Sequence, residues 1–110
     1  MDNNALWEMK TKMVQLGNQT YKGEDEKRQF QSFVLQNVHE FDGQAWDMFS
    51  NLVTIDPEEM LKDINFWKAL WEHLSKVDCN DEKFGFRSGM RIAMIQTVCE
   101  EKLNFDKVQL

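Results

Sequence analysis

The chain has 110 residues, 42% hydrophobic and 29% charged, with 19 acids against 13 bases for a formal net charge of −6. That length makes one domain, and the apolar fraction is enough to build a core, which excludes both a two-domain protein and a disordered chain. One proline and five glycines supply too few turns for a β-sandwich, which needs a turn signal every ~8–12 residues.

Helical periodicity dominates, and the elements follow in chain order. A first helix is expected from about Asn4 to Leu16, where Leu6, Met9, Met13 and Leu16 recur at three- and four-residue steps. Trp7 falls at the edge of that stripe and is the tryptophan expected to face solvent. Gly17-Asn18 ends the helix. Glu24-Asp25-Glu26 then place three acids where a helix N-terminus favours negative charge. Phe30, Phe33, Val34, Val38 and Phe41 form the stripe of this second helix. Asn37 lies inside it, as a buried amide needing partners or as a flaw in the packing.

Asp42-Gly43 breaks and re-caps the chain ahead of a short third helix carrying Ala45, Trp46, Phe49, Leu52 and Val53. Asp56-Pro57-Glu58-Glu59 is the strongest start signal, with a capping side chain, a proline at the first helical position and a glutamate at the third. The helix it opens is expected to reach about Lys76 in one piece, burying Met60, Ile64, Trp67, Trp71 and Leu74. A fifth helix is expected from Asn80, or from Ser88, to about Leu103. From Met90 onwards it is apolar almost all round, with Arg91 the one charge between its two sides, and a helix of that kind belongs at the centre of a bundle. The expected fold is thus all-α: a single domain of about five helices over residues 1–103 with a mostly buried C-terminal helix, and a tail over 104–110 that docks through Phe105, Val108 and Leu110 or frays.

The polar, acidic start Met1-Asp2-Asn3-Asn4 lacks the basic residues and apolar run of a secretory signal. No stretch approaches the ~18 apolar residues of a membrane span. A cytoplasmic protein is expected, with Cys79 and Cys99 as free thiols and Asn18-Gln19-Thr20 a chance match to a glycosylation acceptor.

Few residues point to chemistry. His39, His73, Cys79 and Cys99 are scattered, without the tight spacing of metal ligands, and the two histidines read as solvated or capping. The loop from Asp78 has Lys83 and Gly89 where a calcium loop requires glycine at its sixth position and glutamate at its twelfth. No nucleophile elbow or activated thiol is marked. Gly85-Phe86-Arg87-Ser88-Gly89 lacks the glycine density of a phosphate loop, and its glycine spacing suits close approach of another helix. No catalytic residue, metal or cofactor is assigned, and the chain is not expected to be an enzyme.

Two charged features remain. Lys83, Arg87 and Arg91, four residues apart, make a basic stripe that could hold a phosphate, an acidic partner or nucleic acid, or else pair with local acids such as Asp81 and Glu82. A net charge of −6 argues against a dedicated nucleic-acid binder. Residues 1–39 and 64–110 each balance acids with bases, whereas residues 40–63 hold Glu40, Asp42, Asp47, Asp56, Glu58, Glu59 and Asp63 against Lys62. Helix capping explains Asp42, Asp56, Glu58 and Glu59, but Glu40, Asp47 and Asp63 less well. The leading expectation is a binding protein in which Glu40, Asp42, Asp47, Glu58, Glu59 and Asp63 meet a protein partner with a basic surface. It would act by occlusion, as an inhibitor, immunity-type protein, adaptor or nucleic-acid mimic. The alternatives are a homo-oligomer joined through the acidic region and the basic stripe, and a nucleic-acid accessory protein using Lys83, Arg87 and Arg91.

Overall fold

Asp2, Asp42 and Asp56 each start a helix in the same way, turning a carboxylate back onto the free N–H groups of the first turn. Asp2 accepts from Ala5 N at 2.7 Å, Asp42 from Ala45 N at 2.9 Å, and Asp56 from Glu58 N at 2.9 Å. The computed structural model describes residues 1–105, and among them the helices are α1 (Asn3–Gly17), α2 (Glu24–Asn37), α3 (Gly43–Leu52), α4 (Pro57–Leu61), α5 (Ile64–Leu74) and α6 (Gly85–Thr97). Short 3₁₀ turns cover Thr20–Lys22 and Val38–Glu40, and α6 continues as a π turn over Val98–Lys102. No strand occurs among the described residues. The helices share one hydrophobic core, so the all-α, single-domain expectation holds. Of the predicted tail, residues 106–110 lie outside the described residues, while Phe105 packs against the core and bonds its N–H to the Cys99 carbonyl at 2.9 Å.

The first three helices follow the sequence pattern closely. Met9 and Met13 are buried on α1 and Phe30 and Val34 on α2. Trp7 stands out at 60% exposure. Asn37 is half-buried and satisfies itself locally, its amide donating to the Phe33 carbonyl at 2.8 Å.

Two expectations are corrected. The helix predicted from Asp56 to Lys76 is two helices, α4 and α5, broken at Asp63, whose backbone (φ −124°, ψ 41°) leaves the helical region. On a continuous helix Met60 would fall at an angle between Trp67 and Trp71, inside the arc that α5 buries, so the apolar pattern carries no sign of the break. On either side of the break the inward residues reach the core, Met60 from α4 and Phe66, Trp67, Leu70, Trp71 and Leu74 from α5, and Leu61 is left exposed. Lys62 N and Asp63 N close the end of α4 on the Glu59 and Met60 carbonyls, and Lys27 of α2 reaches Asp63 at 3.0 Å.

The second correction concerns the centre. It is α3, packed between α1 and α6, with Ala45, Trp46 and Phe49 out of contact with water. Phe49 stacks on Phe30 and meets the rings of Phe41, Trp46, Phe66 and Trp67 at centroid distances of 6.0–6.4 Å, the tilted and edge-on contacts that aromatic clusters favour. By contrast, α6 buries one side through Ser88, Gly89, Ile92 and Ile95 and leaves the other open. It also starts at neither predicted cap. Phe84 precedes its first turn without a side-chain bond, and Gly85 supplies a left-handed turn at φ +78° that a side chain would resist.

Candidate interaction surface

An apolar residue every fourth position on a helix builds a ridge, and on the open side of α6 that ridge is Phe86, Met90 and Met94, exposed by 85%, 58% and 46%. The same helix carries Ile92 and Ile95 at zero exposure. The sequence showed apolar residues on both sides of this helix, and only the packing shows which side is left exposed among the described residues. A groove of about 370 Å³ runs along the ridge, lined by Phe86, Arg87, Met90, Arg91 and Met94.

The expected basic stripe is divided by the late start of α6. Lys83 precedes the helix, lies 4.0 Å from Asp81 and sits over the Phe84 ring. Arg87 and Arg91 stay on one face and turn together to α3, their Nε atoms 3.4 and 3.5 Å from the same Asp47 oxygen. Acidic segment and basic stripe therefore meet within one chain.

The other acids of residues 40–63 are similarly engaged. Asp42 accepts from the Lys10 ammonium at 2.7 Å while its second oxygen caps α3. Lys10 is only 5% exposed and also donates to Gln44 Oε1 at 2.9 Å. Asp63 pairs with Lys27, and that hydrogen bond holds the Lys27 ammonium above the ordinary lysine range. Glu59 pairs with Lys62 at 2.9 Å and raises it likewise. Glu40 lies 3.9 Å from the N-terminal ammonium and 3.6 Å from His39. Asp56 is spent on the α4 cap, and Glu58 is exposed. The structure thus gathers Asp47 with Arg87 and Arg91 but ties Asp42 and Asp63 to separate lysines. Sequence reasoning missed Lys10, the buried charge of α1. Its only signal is its place next to Met9 and one turn before Met13 and Val14, on the inward side of the helix.

The remaining candidates find structural places. Cys79 and Cys99 are free, and burial, with the Glu100 carboxylate beside it, pushes the Cys99 thiol up to about 12, where it is unreactive. Gly89 and Gly85 serve the backbone, but the close neighbour of Gly89 is the connector at Cys79 and not a helix. No group of three metal-ligating side chains comes together among the described residues, and no helix among them is long and apolar enough to cross a membrane.

His73, expected on the solvated face of its helix, is half-buried. Burial lowers its pKa below the ordinary 6.5, and the charges of His39, Lys76 and Lys83 lower it further. Between that lowered value and 6.5 the unfolded chain binds a proton that the folded chain does not, so stability rises with pH through this window and is lost on acidification. A His73→Gln variant is expected to flatten this dependence in urea titrations from neutral pH down past the window. An unchanged slope would assign it to another group.

Comparison with protein-family models, curated proteins and solved structures finds no match for this chain.

Proposed function

We propose that this is a non-catalytic binding protein that acts by covering a surface of another macromolecule, with the open side of α6 as its contact surface. The observation that supports this is the Phe86, Met90 and Met94 ridge. Scattered exposed apolar residues are ordinary on any protein, but three large ones aligned along nine residues of one helix face, opposite a fully buried face, form a docking ridge. Methionine adapts its shape to a partner, and aromatic anchors carry much of the energy of small interfaces. The acidic residues 40–63 hold the fold together through Lys10, Lys27, Lys62, Arg87 and Arg91, which leaves them less to offer a basic partner than their count suggests.

Cross-linked capture from the native source tests the reading with three baits: the unaltered chain, a Phe86→Ser/Met90→Ser/Met94→Ser variant, and a Glu58→Gln/Glu59→Gln variant. Partners held by the first are expected to fall by on the order of tenfold or more with the second and to persist with the third. The reverse pattern would make the acidic segment the contact surface.

A further inference from the structure

The ridge on α6 has two unlike edges. At 3.6 residues per turn, Arg87 and Arg91 lie along one side of Phe86, Met90 and Met94. Ala93 and Gln96 lie along the other, where the Gln96 amide turns inward and donates to the Leu74 and Val77 carbonyls at 3.1 and 2.8 Å. One edge is cationic and the other neutral. On the cationic edge two guanidinium groups share one carboxylate at 3.4 and 3.5 Å, longer than the ~2.7–2.9 Å of a strong charge-assisted bond. That Asp47 oxygen is sealed from solvent and receives no hydrogen bond of good geometry. The Arg87 side chain, in contrast, is 73% exposed. The edge keeps a surplus positive charge, presented beside an apolar groove.

We infer that this groove takes an amphipathic helix of a partner protein, one that sets large apolar side chains against the ridge and carries Asp or Glu along the edge facing Arg87 and Arg91. The inference rests on the reading of α6 as the contact surface and adds the chemistry of the partner. Carboxylates suit the planar guanidinium fork in a way no neutral group matches, and a helix supplies anchors at the spacing that a ridge of this kind meets. Because only one edge is charged, it also fixes which way round the partner lies. A second copy of this chain fits poorly: two α6 helices packed antiparallel about Met90 bring both arginine edges to the same side. A nucleic acid or anionic bilayer meets the net charge of −6 with dense charge of its own. A helix with a few carboxylates feels that field only weakly beyond the ~10 Å screening length at 0.1 M salt.

The test uses the full chain and three synthetic stapled helices of roughly 18 residues, about five turns, with the same leucine ridge and with Glu, Gln or Lys along one edge. Binding is read by fluorescence anisotropy at low and high salt. The Glu-edged helix is expected to bind on the order of tenfold tighter than the Gln-edged one, and the Lys-edged helix weakest. Added salt should narrow the spread. Arg87→Gln/Arg91→Gln should erase the preference, and Met90→Glu should abolish binding of all three, both with helical content unchanged by circular dichroism. Equal binding of the three helices, lost in Met90→Glu, overturns the acidic partner while the contact surface stands. Binding that Met90→Glu leaves untouched overturns both. Failure of all three helices to bind overturns the inference, as does a dimer in sedimentation that Met90→Glu dissolves, which would make a second copy the occupant.

Discussion

Asp42→Ala is expected to lower the free energy of unfolding by about 3 kcal/mol, and adding Lys10→Met to the same chain is expected to return most of that loss. Asp42 does two jobs with its two oxygens, capping α3 through Ala45 N and holding the Lys10 ammonium at 2.7 Å. Loss of an N-cap alone costs about 1 kcal/mol. The remainder is the cost of leaving Lys10, 5% exposed, with the Gln44 amide oxygen in place of a carboxylate. Removing one partner of a fully buried pair costs about 3–5 kcal/mol. Asp42 is itself 40% exposed, which lets water reach the site and places the effect toward the low end. Methionine at position 10 fills the same narrow space with an unbranched apolar chain, so the double variant should fall short of the parent by little more than the cap. The diagnostic is a sign: the double variant is more stable than Asp42→Ala alone in urea denaturation followed by far-UV circular dichroism. A single variant that costs only the cap, with Lys10→Met adding its own loss on top, would show that the Lys10 charge does not depend on Asp42.

That pair also shows where a reading of the sequence stops. Caps are local, and Asp42, Asp56 and the ends of α1 are legible because the donor and acceptor lie within three or four residues. Charge balance is not local. Counted along the chain, residues 40–63 hold the whole excess and the flanks are neutral, yet Lys10 and Lys27 come from one flank and Arg87 and Arg91 from the other to meet Asp42, Asp63 and Asp47. Once those bases have crossed over, the excess negative charge is spread along all three parts of the chain instead of being held in one. Periodicity fails in a similar way at two places. It cannot see the break at Asp63, because Met60, Ile64, Trp67 and Trp71 make an unbroken stripe on paper, and the Lys27 ammonium that Asp63 meets at the break comes from another helix. Nor can it choose between the two apolar sides of α6: Ile92 and Ile95 are buried, while Phe86, Met90 and Met94, of similar hydrophobicity, are left exposed among the described residues. The identity of the core helix follows from this. Short and set in an acidic segment, α3 gives no sign in the sequence of being central, and it is central because α1 and α6 pack against it around Ala45, Trp46 and Phe49.

Gly43→Ala is expected to cost about 3 kcal/mol or more, a loss on the order of 10 °C in midpoint temperature, and Gly89→Ala a similar amount, whereas Gly85→Ala should cost only about 1 kcal/mol. The three glycines lie around one joint, where the first turn of α3 and the first turns of α6 pass each other and the connector. A Cβ on Gly43 would overlap the Phe84 carbonyl oxygen, and one on Gly89 would overlap that of Cys79. Both obstacles are backbone atoms, so neither can rotate away as a side chain could: relief at Gly43 requires the start of α6 to shift off α3, and relief at Gly89 requires the connector at Cys79 to shift off α6. At Gly17 the same methyl meets only the Leu52 side chain, which can change rotamer, so Gly17→Ala serves as the mild control. At Gly85 a methyl meets nothing within 4 Å, and the cost is that of holding alanine at φ +78°. The order of stabilities, with Gly43 and Gly89 far below Gly85 and Gly17, separates close backbone approach from backbone conformation. A Gly43→Ala chain as stable as Gly85→Ala would mean that α3 and α6 can move apart at small cost. The joint sets more than stability. Asp47 lies one turn along α3 from Gly43, and Arg87 and Arg91 span the first two turns of α6 from Gly85, so the spacing that the glycines permit is the spacing at which those charges meet. A shift of α6 large enough to accommodate the new methyl should therefore also loosen the Asp47 contacts. With less of their charge taken by Asp47, Arg87 and Arg91 should then favour the Glu-edged helix more strongly, without a change in any residue that lines the groove.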